Sequence, residues 1–106
     1  MIFIIQKDIT LGGITKQQEI IGYFRINVTE DTIYTTVVKG EWVPNGENRW
    51  TLDLSDERHF QEPLNINQMP GLVEALNIEM DKALNNVYSE DGQYNRADYF
   101  LKNVDN

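Results

Sequence analysis

The chain has 106 residues, 41% of them hydrophobic and 25% charged, which is enough for one folded domain and too little for two independent ones. It contains no cysteine, so disulfides, thiolate chemistry and cysteine-based zinc sites are excluded. The net charge of −8 is uneven, with six acids and five bases in residues 1–50 but eleven acids and four bases in residues 51–106; such a field repels phosphate backbones and disfavours direct nucleic-acid binding.

In chain order, Ile2–Gln6 reads as a buried strand because its residues are β-branched and aromatic. The apolar start MIFII gives way soon to Lys7 and Asp8, too early for the core of an export signal. No run approaches the roughly 20 apolar residues of a membrane span, and the expectation is a cytoplasmic protein with no membrane contact. Ile9–Ile14, which contains Gly12-Gly13, predicts a turn. Ile20–Val28 alternates, with Phe24, Ile26 and Val28 on one parity and Arg25 and Asn27 on the other, as in a half-buried strand. Thr29-Glu30-Asp31 predicts a second turn. Thr32–Val43 is again a strand, and its apolar residues occupy both parities, which fits a central strand covered on both faces.

The next stretch, GEWVPNGENRW, holds both tryptophans of the chain. A two-residue Asn45-Gly46 turn sends Trp42 and Trp50 to opposite faces. A three-residue Pro44-Asn45-Gly46 loop, with glycine at positive φ, keeps them on one face with Val38, Leu52 and Leu54. That second register sets Trp42 opposite Asn48, Glu41 opposite Arg49 and Val38 opposite Leu52, and the side-chain pattern selects it.

Ser55–Gln68 holds acids, prolines and asparagines and reads mostly as loop, with one short turn around Asp56–Phe60. The major helix follows: Leu72, Leu76, Met80, Ala83, Leu84 and Val87 form a stripe at steps of three and four, widened by Val73 and Tyr88. Pro70 suits its first turn, with Asn67 or Gln68 near the start, and the helix is to end before Asp91-Gly92. Ala97–Val104 reads as a short last helix anchored on its own domain by Tyr99, Phe100 and Val104. The expected fold is α+β: one domain over residues 1–106, an antiparallel sheet of about four to five strands in a mostly meander order, and a C-terminal helix packed on one face.

Chemistry-bearing motifs are weak. His59 is the sole histidine and lies among Asp53, Asp56, Glu57 and Glu62, but without metal-ligand spacing it reads as a surface loop residue. Ser55 lacks a glycine-flanked elbow, and Gly12-Gly13 lacks the spacing of a phosphate loop. Ser89-Glu90-Asp91-Gly92 reads as a helix-ending turn rather than a calcium loop. No catalytic residue, cofactor or metal is expected.

Protein recognition has more support. Trp42 and Trp50 are rigid anchors of the kind that dominate binding hot spots, with Arg49 beside them and Asp53, Asp56, Glu57 and Glu62 as an acidic surround. The expected function is a non-enzymatic protein-binding module: a small acidic inhibitor or accessory subunit acting on a basic, nucleic-acid-binding protein, in one version as a nucleic-acid mimic. The alternative is a structural subunit of a larger assembly or homo-oligomer, using the aromatic hairpin and strand edges. A His59-centred metal protein or enzyme is the remote alternative. The pattern leaves one structural question: whether the helix covers the tryptophan face or stops short of it.

Overall fold

The computed structural model describes residues 1–64 and 71–105. Strand β1 spans Ile2–Leu11, β2 Ile14–Thr29, β3 Thr32–Pro44 and β4 Trp50–Pro63; helix α1 spans Leu72–Tyr88, and β5 spans Tyr99–Asn103. All pairings are antiparallel, in the order β4-β3-β2-β1-β5. The first four strands form a meander, and β5 returns to pair outside β1. The fold is therefore α+β, with the helix on one face of the sheet.

Two tight turns set the register. Gly12 and Gly13 both have positive φ, +58° and +81°, the conformation of a two-residue hairpin turn that joins Leu11 to its partner Ile14. Glu30-Asp31 joins Thr29 to its partner Thr32, also through two residues but without positive φ.

The helix packs along one half of the sheet. Near its start, Ala75, Leu76 and Met80 meet Ile26 and Ile33. Towards its end, Ala83, Leu84, Val87 and Tyr88 meet Ile5, Ile21, Phe24 and Val37, with Tyr99 completing the cluster. β3 is an interior strand, and Val37 and Val38 are consecutive and both buried, but among the described residues the expected cover on both faces is not found: the helix lies on one face, and Tyr34, Arg25 and His59 are exposed on the other.

At the end of the helix the sheet changes. The β2–β3 ladder stops at Gly22 opposite Lys39, and register shifts fall between Ile5 and Gln6 in β1 and between Lys39 and Glu41 in β3. Bulges bend strands and add twist. Beyond this line the two hairpins continue as separate arms. Close backbone approach at the line leaves no room for side chains: a Cβ on Gly22 would collide with the Val38 carbonyl oxygen and lie 2.8 Å from the Tyr88 hydroxyl, and one on Gly40 would lie 2.6 Å from the Ile21 carbonyl.

Four further expectations need correction. The stretch Ser55–Pro63 is strand, not loop: Asp56–Pro63 pairs residue by residue with Thr32–Lys39. An edge strand needs only a sparse apolar face, and here Arg58, Phe60 and Glu62 supply it, half-buried, while their odd-numbered neighbours face solvent. Residues 65–68 of that span, and the helix-start residues Asn67, Gln68 and Pro70, lie outside the described residues.

The last segment is not a helix either. A single 3-10 turn at Arg96–Asp98 leads into β5, where Tyr99 and Leu101 face the core and Phe100 faces away. That is a period of two, stabilised by pairing with Phe3–Lys7 of β1. Its docking on its own domain is as expected.

The β3–β4 hairpin adopts neither register considered above. Pro44 pairs with Trp50, Val43 with Thr51, Trp42 with Leu52 and Glu41 with Asp53, leaving a five-residue loop, Asn45–Arg49, closed by the Asn45 amide on the Arg49 carbonyl at 2.8 Å. Gly46 is at positive φ as expected, and so is Asn48, a residue type that tolerates the left-handed region and lengthens the loop. Trp42 and Trp50 still share a face, because the register moved by an even number of residues. Lastly, Leu72 and Val73 are exposed, so the apolar stripe begins at Ala75.

Candidate functional site

Lost pairing between the arms must be replaced, and the tryptophans replace it. Where β3 leaves β2, the Ile20 carbonyl faces the gap, and the Trp42 indole Nε1 donates a hydrogen bond to it at 3.0 Å. Farther out, the Trp50 indole lies beside Gly12, so close that a Cβ there would sit 3.8 Å from Nε1. Both side chains are half-buried. They act as struts between the arms, and each keeps one part of its ring system open to solvent.

Below the struts, on the helix side, the uncovered sheet forms a groove. Its volume is ≈ 260 Å³, and Ile9, Leu11, Ile21, Trp42, Tyr88 and Tyr99 are its apolar lining, with Lys7 and Glu41 also bordering it. Tyr88 ends the helix there, its hydroxyl donating to the Ile21 carbonyl at 3.4 Å. Tyr99 stacks at 5.1 Å from Tyr88 and 5.3 Å from Tyr94, and the Lys7 ammonium lies 5.0 Å from the Tyr99 ring centre. The helix thus stops short of the tryptophan face.

Of the four acids named from the sequence, Asp53 and Asp56 border one recess together with Glu41 and Lys39, whereas Glu57 and Glu62 lie elsewhere. Asp56 lies on the helix face in an ion cluster. Arg58 donates to Asp56 at 3.1 and 3.0 Å and to Glu90 at 2.8 and 2.9 Å, a fork on each side that ties β4 to the turn after α1. These hydrogen bonds, foremost, hold the Asp56 and Glu90 carboxyls below the usual carboxylate range. Glu57 points to the opposite face, near Arg25 at 4.0 Å and His59 at 3.3 Å. Glu62 lies at the far end of the helix face, bordering a smaller ≈ 140 Å³ cavity with Glu79 and Lys82. Asp53 lies in the hairpin arm, accepts from the Ser55 amide at 3.0 Å, and stands opposite Glu41, where Arg49 was expected. Arg49 itself is an exposed loop residue.

His59 sits on β4 rather than in a loop. Its Nδ1 is 3.2 Å from the Thr36 hydroxyl, and the residue lies on the face away from the groove, 69% exposed. Among the described residues, no group of three or more histidine and carboxylate side chains is placed to hold a metal ion.

The sequence reading found Trp42 and Trp50 but missed Ile9, Leu11 and Tyr99. A signal was present for two of them: in KDITL the apolar residues Ile9 and Leu11 alternate with Asp8 and Thr10. The neighbouring glycines drew that stretch into the predicted turn. No protein-family model, curated protein or solved structure matches the chain.

Proposed function

We propose that this chain is a non-enzymatic protein-binding module, an inhibitor or accessory subunit that holds a basic protein partner at the groove beyond the end of α1. The observation that carries the reading is the groove itself: aromatic and aliphatic side chains from β1, β2, β3, β5 and the helix end line an open concavity of ≈ 260 Å³. Large apolar side chains in a pre-formed concavity are the usual material of binding hot spots. The two tryptophans support it by fixing the arms in position, since a preorganised surface loses less entropy on binding. Net charge of −8 favours a basic partner through long-range attraction. Asp53 and Asp56 share one recess with Glu41, but Lys39 borders it too and Glu57 and Glu62 lie elsewhere, so a contiguous mimic of a phosphate backbone has less support than an apolar anchor in an acidic field.

A photo-crosslinking residue at Leu11 tests the reading in the native cell. The expected result is a covalent adduct with one protein partner, absent when the same residue is placed at Tyr34 on the opposite face. Adducts from position 34 alone, or from neither position, would overturn it.

The alternative, a structural subunit that assembles through strand edges, is favoured by the long outer edge of β4. That edge is rich in charge, however, from Asp53 to Glu62, the arrangement that discourages edge-to-edge pairing.

A further inference from the structure

We infer that the partner enters by strand addition: an extended, basic segment pairs with the outer edge of β1 at Thr10, beyond the end of β5, and directs an apolar side chain into the groove. The inference rests on the protein-binding reading above and specifies how the partner is held.

The argument starts with backbone alternation. Met1, an odd position, exchanges both backbone bonds with Ile26 of β2, at 3.0 and 2.8 Å. Ile2, an even position, faces the other way and accepts from the Val104 amide at 3.0 Å. In an antiparallel ladder successive residues point their N–H and C=O groups to alternate sides. Even positions of β1 therefore face β5. The turn gives the same answer independently, because Leu11 and Ile14 close a two-residue hairpin and must exchange bonds with each other, so Thr10 points outward.

β5 pairs with this edge from Phe3 to Lys7, its last partner there being Tyr99. By the same alternation Lys7 and Tyr99 are a non-hydrogen-bonded pair, the Tyr99 amide bonding Arg96 instead, so the rung at Asp8 belongs to Asp98 and the first open rung is at Thr10, which is exposed. The side chains of Asp8 and Thr10 are already used on the far face: the Asp8 carboxylate accepts from the Gln18 amide at 2.8 Å, and the Thr10 hydroxyl is 3.1 Å from that of Thr15. The odd neighbours Ile9 and Leu11 line the groove. A strand added here gains backbone bonds from the edge and selectivity from the groove, the two components of strand-addition recognition. The inner edge of the same hairpin is a poorer site, because the Trp42 and Trp50 indoles occupy its gap.

Charge selects the occupant. Asp8 and Asp98 border a recess at the end of β5, and Glu41 borders the groove; the cations beside them are Lys7, whose ammonium lies over Tyr99, and Lys39, which lies over Tyr88 and is paired with Glu90 at 3.8 Å. A second copy would bring its own charge of −8 to the same place, whereas a segment alternating basic and apolar residues is attracted to it.

The test uses the full chain and three short blocked peptides: alternating lysine and leucine, alternating glutamate and leucine, and the lysine peptide N-methylated at every second residue to remove ladder donors. The lysine peptide is expected to bind, more weakly in high salt, and to shift the amide signal of Thr10. N-methylation and Thr10→Pro are each expected to weaken it roughly tenfold, the loss of one or two ladder bonds. Thr10→Pro removes an outward N–H and leaves the β1–β2 bonds in place; should that variant not fold, the N-methylated peptide decides with the wild-type chain. Absence of binding by the lysine peptide overturns the inference, as does equal binding after both changes or preference for the glutamate peptide. A homodimer that Thr10→Pro dissolves would assign the edge to a second copy and overturn it too. If Thr10→Pro leaves the Leu11 photo-adduct intact, strand addition fails and the groove reading stands. If the peptide adds at Thr10 while Leu11 gives no adduct, the groove reading fails.

Discussion

At the scale of single residues, the most constrained position is Gly22, where β2, β3 and the helix end converge. Tyr88 lies over it, and any side chain meets the Val38 carbonyl. Backbone cannot yield as a flexible side chain can, so Gly22→Ala is expected to lower stability by about 2–3 kcal/mol, read from the denaturant midpoint. Trp42 carries a different burden. Its indole N–H satisfies the Ile20 carbonyl that the parting of the strands leaves without a ladder partner. Trp42→Phe keeps most of the apolar area and removes that donor, at an expected cost of about 1 kcal/mol. An unchanged midpoint in that variant would mean that water replaces the indole without loss. The importance of Gly22 was not legible in the sequence, since a glycine inside an alternating strand reads only as a weak position until its neighbours across the sheet are known.

At the scale of elements, β4 shows how an edge strand escapes sequence reading. DLSDERHFQE contains one large apolar side chain in its second half, Phe60, and hydrophobic periodicity has little else to register. Its place is secured instead by pairing with β3 and by the Arg58 fork to Asp56 and Glu90. That cluster makes stability pH-dependent. Both carboxyls have folded-state pKa values below their unfolded ones, so their contribution is present above about pH 4 and is lost as pH falls through the depressed values. Arg58→Gln is expected to lower stability at neutral pH and to flatten its decline in acid, so that wild type and variant converge at low pH in thermal scans. Parallel curves would show that the fork contributes packing rather than charge. In the neighbouring arm, Glu41 and Asp53 are cross-strand partners of like charge. Asp53→Lys is expected to raise stability by about 0.2–1 kcal/mol, an effect that added salt reduces.

The whole molecule measures 54 × 27 × 23 Å, and its length comes from the sheet. The 16 residues of β2 extend about 53 Å at 3.3 Å each, whereas the 17 residues of α1 extend about 26 Å at 1.5 Å each. The helix therefore covers about half the sheet and leaves two arms, and no helix among the described residues is long and apolar enough to cross a membrane. Stability is expected to be distributed accordingly. Amides of Phe24 and Val37 are to exchange hydrogen only on global opening, while those of Thr15 and Thr51 exchange by local opening of the arms; uniform protection along β2 would contradict this division. Local pattern by itself determined the strands Ile20–Val28 and Thr32–Val43, the glycine turn, the helix and the common face of Trp42 and Trp50. Those features depend on side-chain period and turn chemistry, which act over a few neighbours in sequence. Only the tertiary structure decided that Ser55–Pro63 and Tyr99–Asn103 are strands, that the acids at 57 and 62 lie apart from those at 53 and 56, and that the tryptophans bridge two arms above an open groove. Each of these depends on residues far apart in the chain, and on where the helix stops relative to the sheet, a length comparison that no single segment contains.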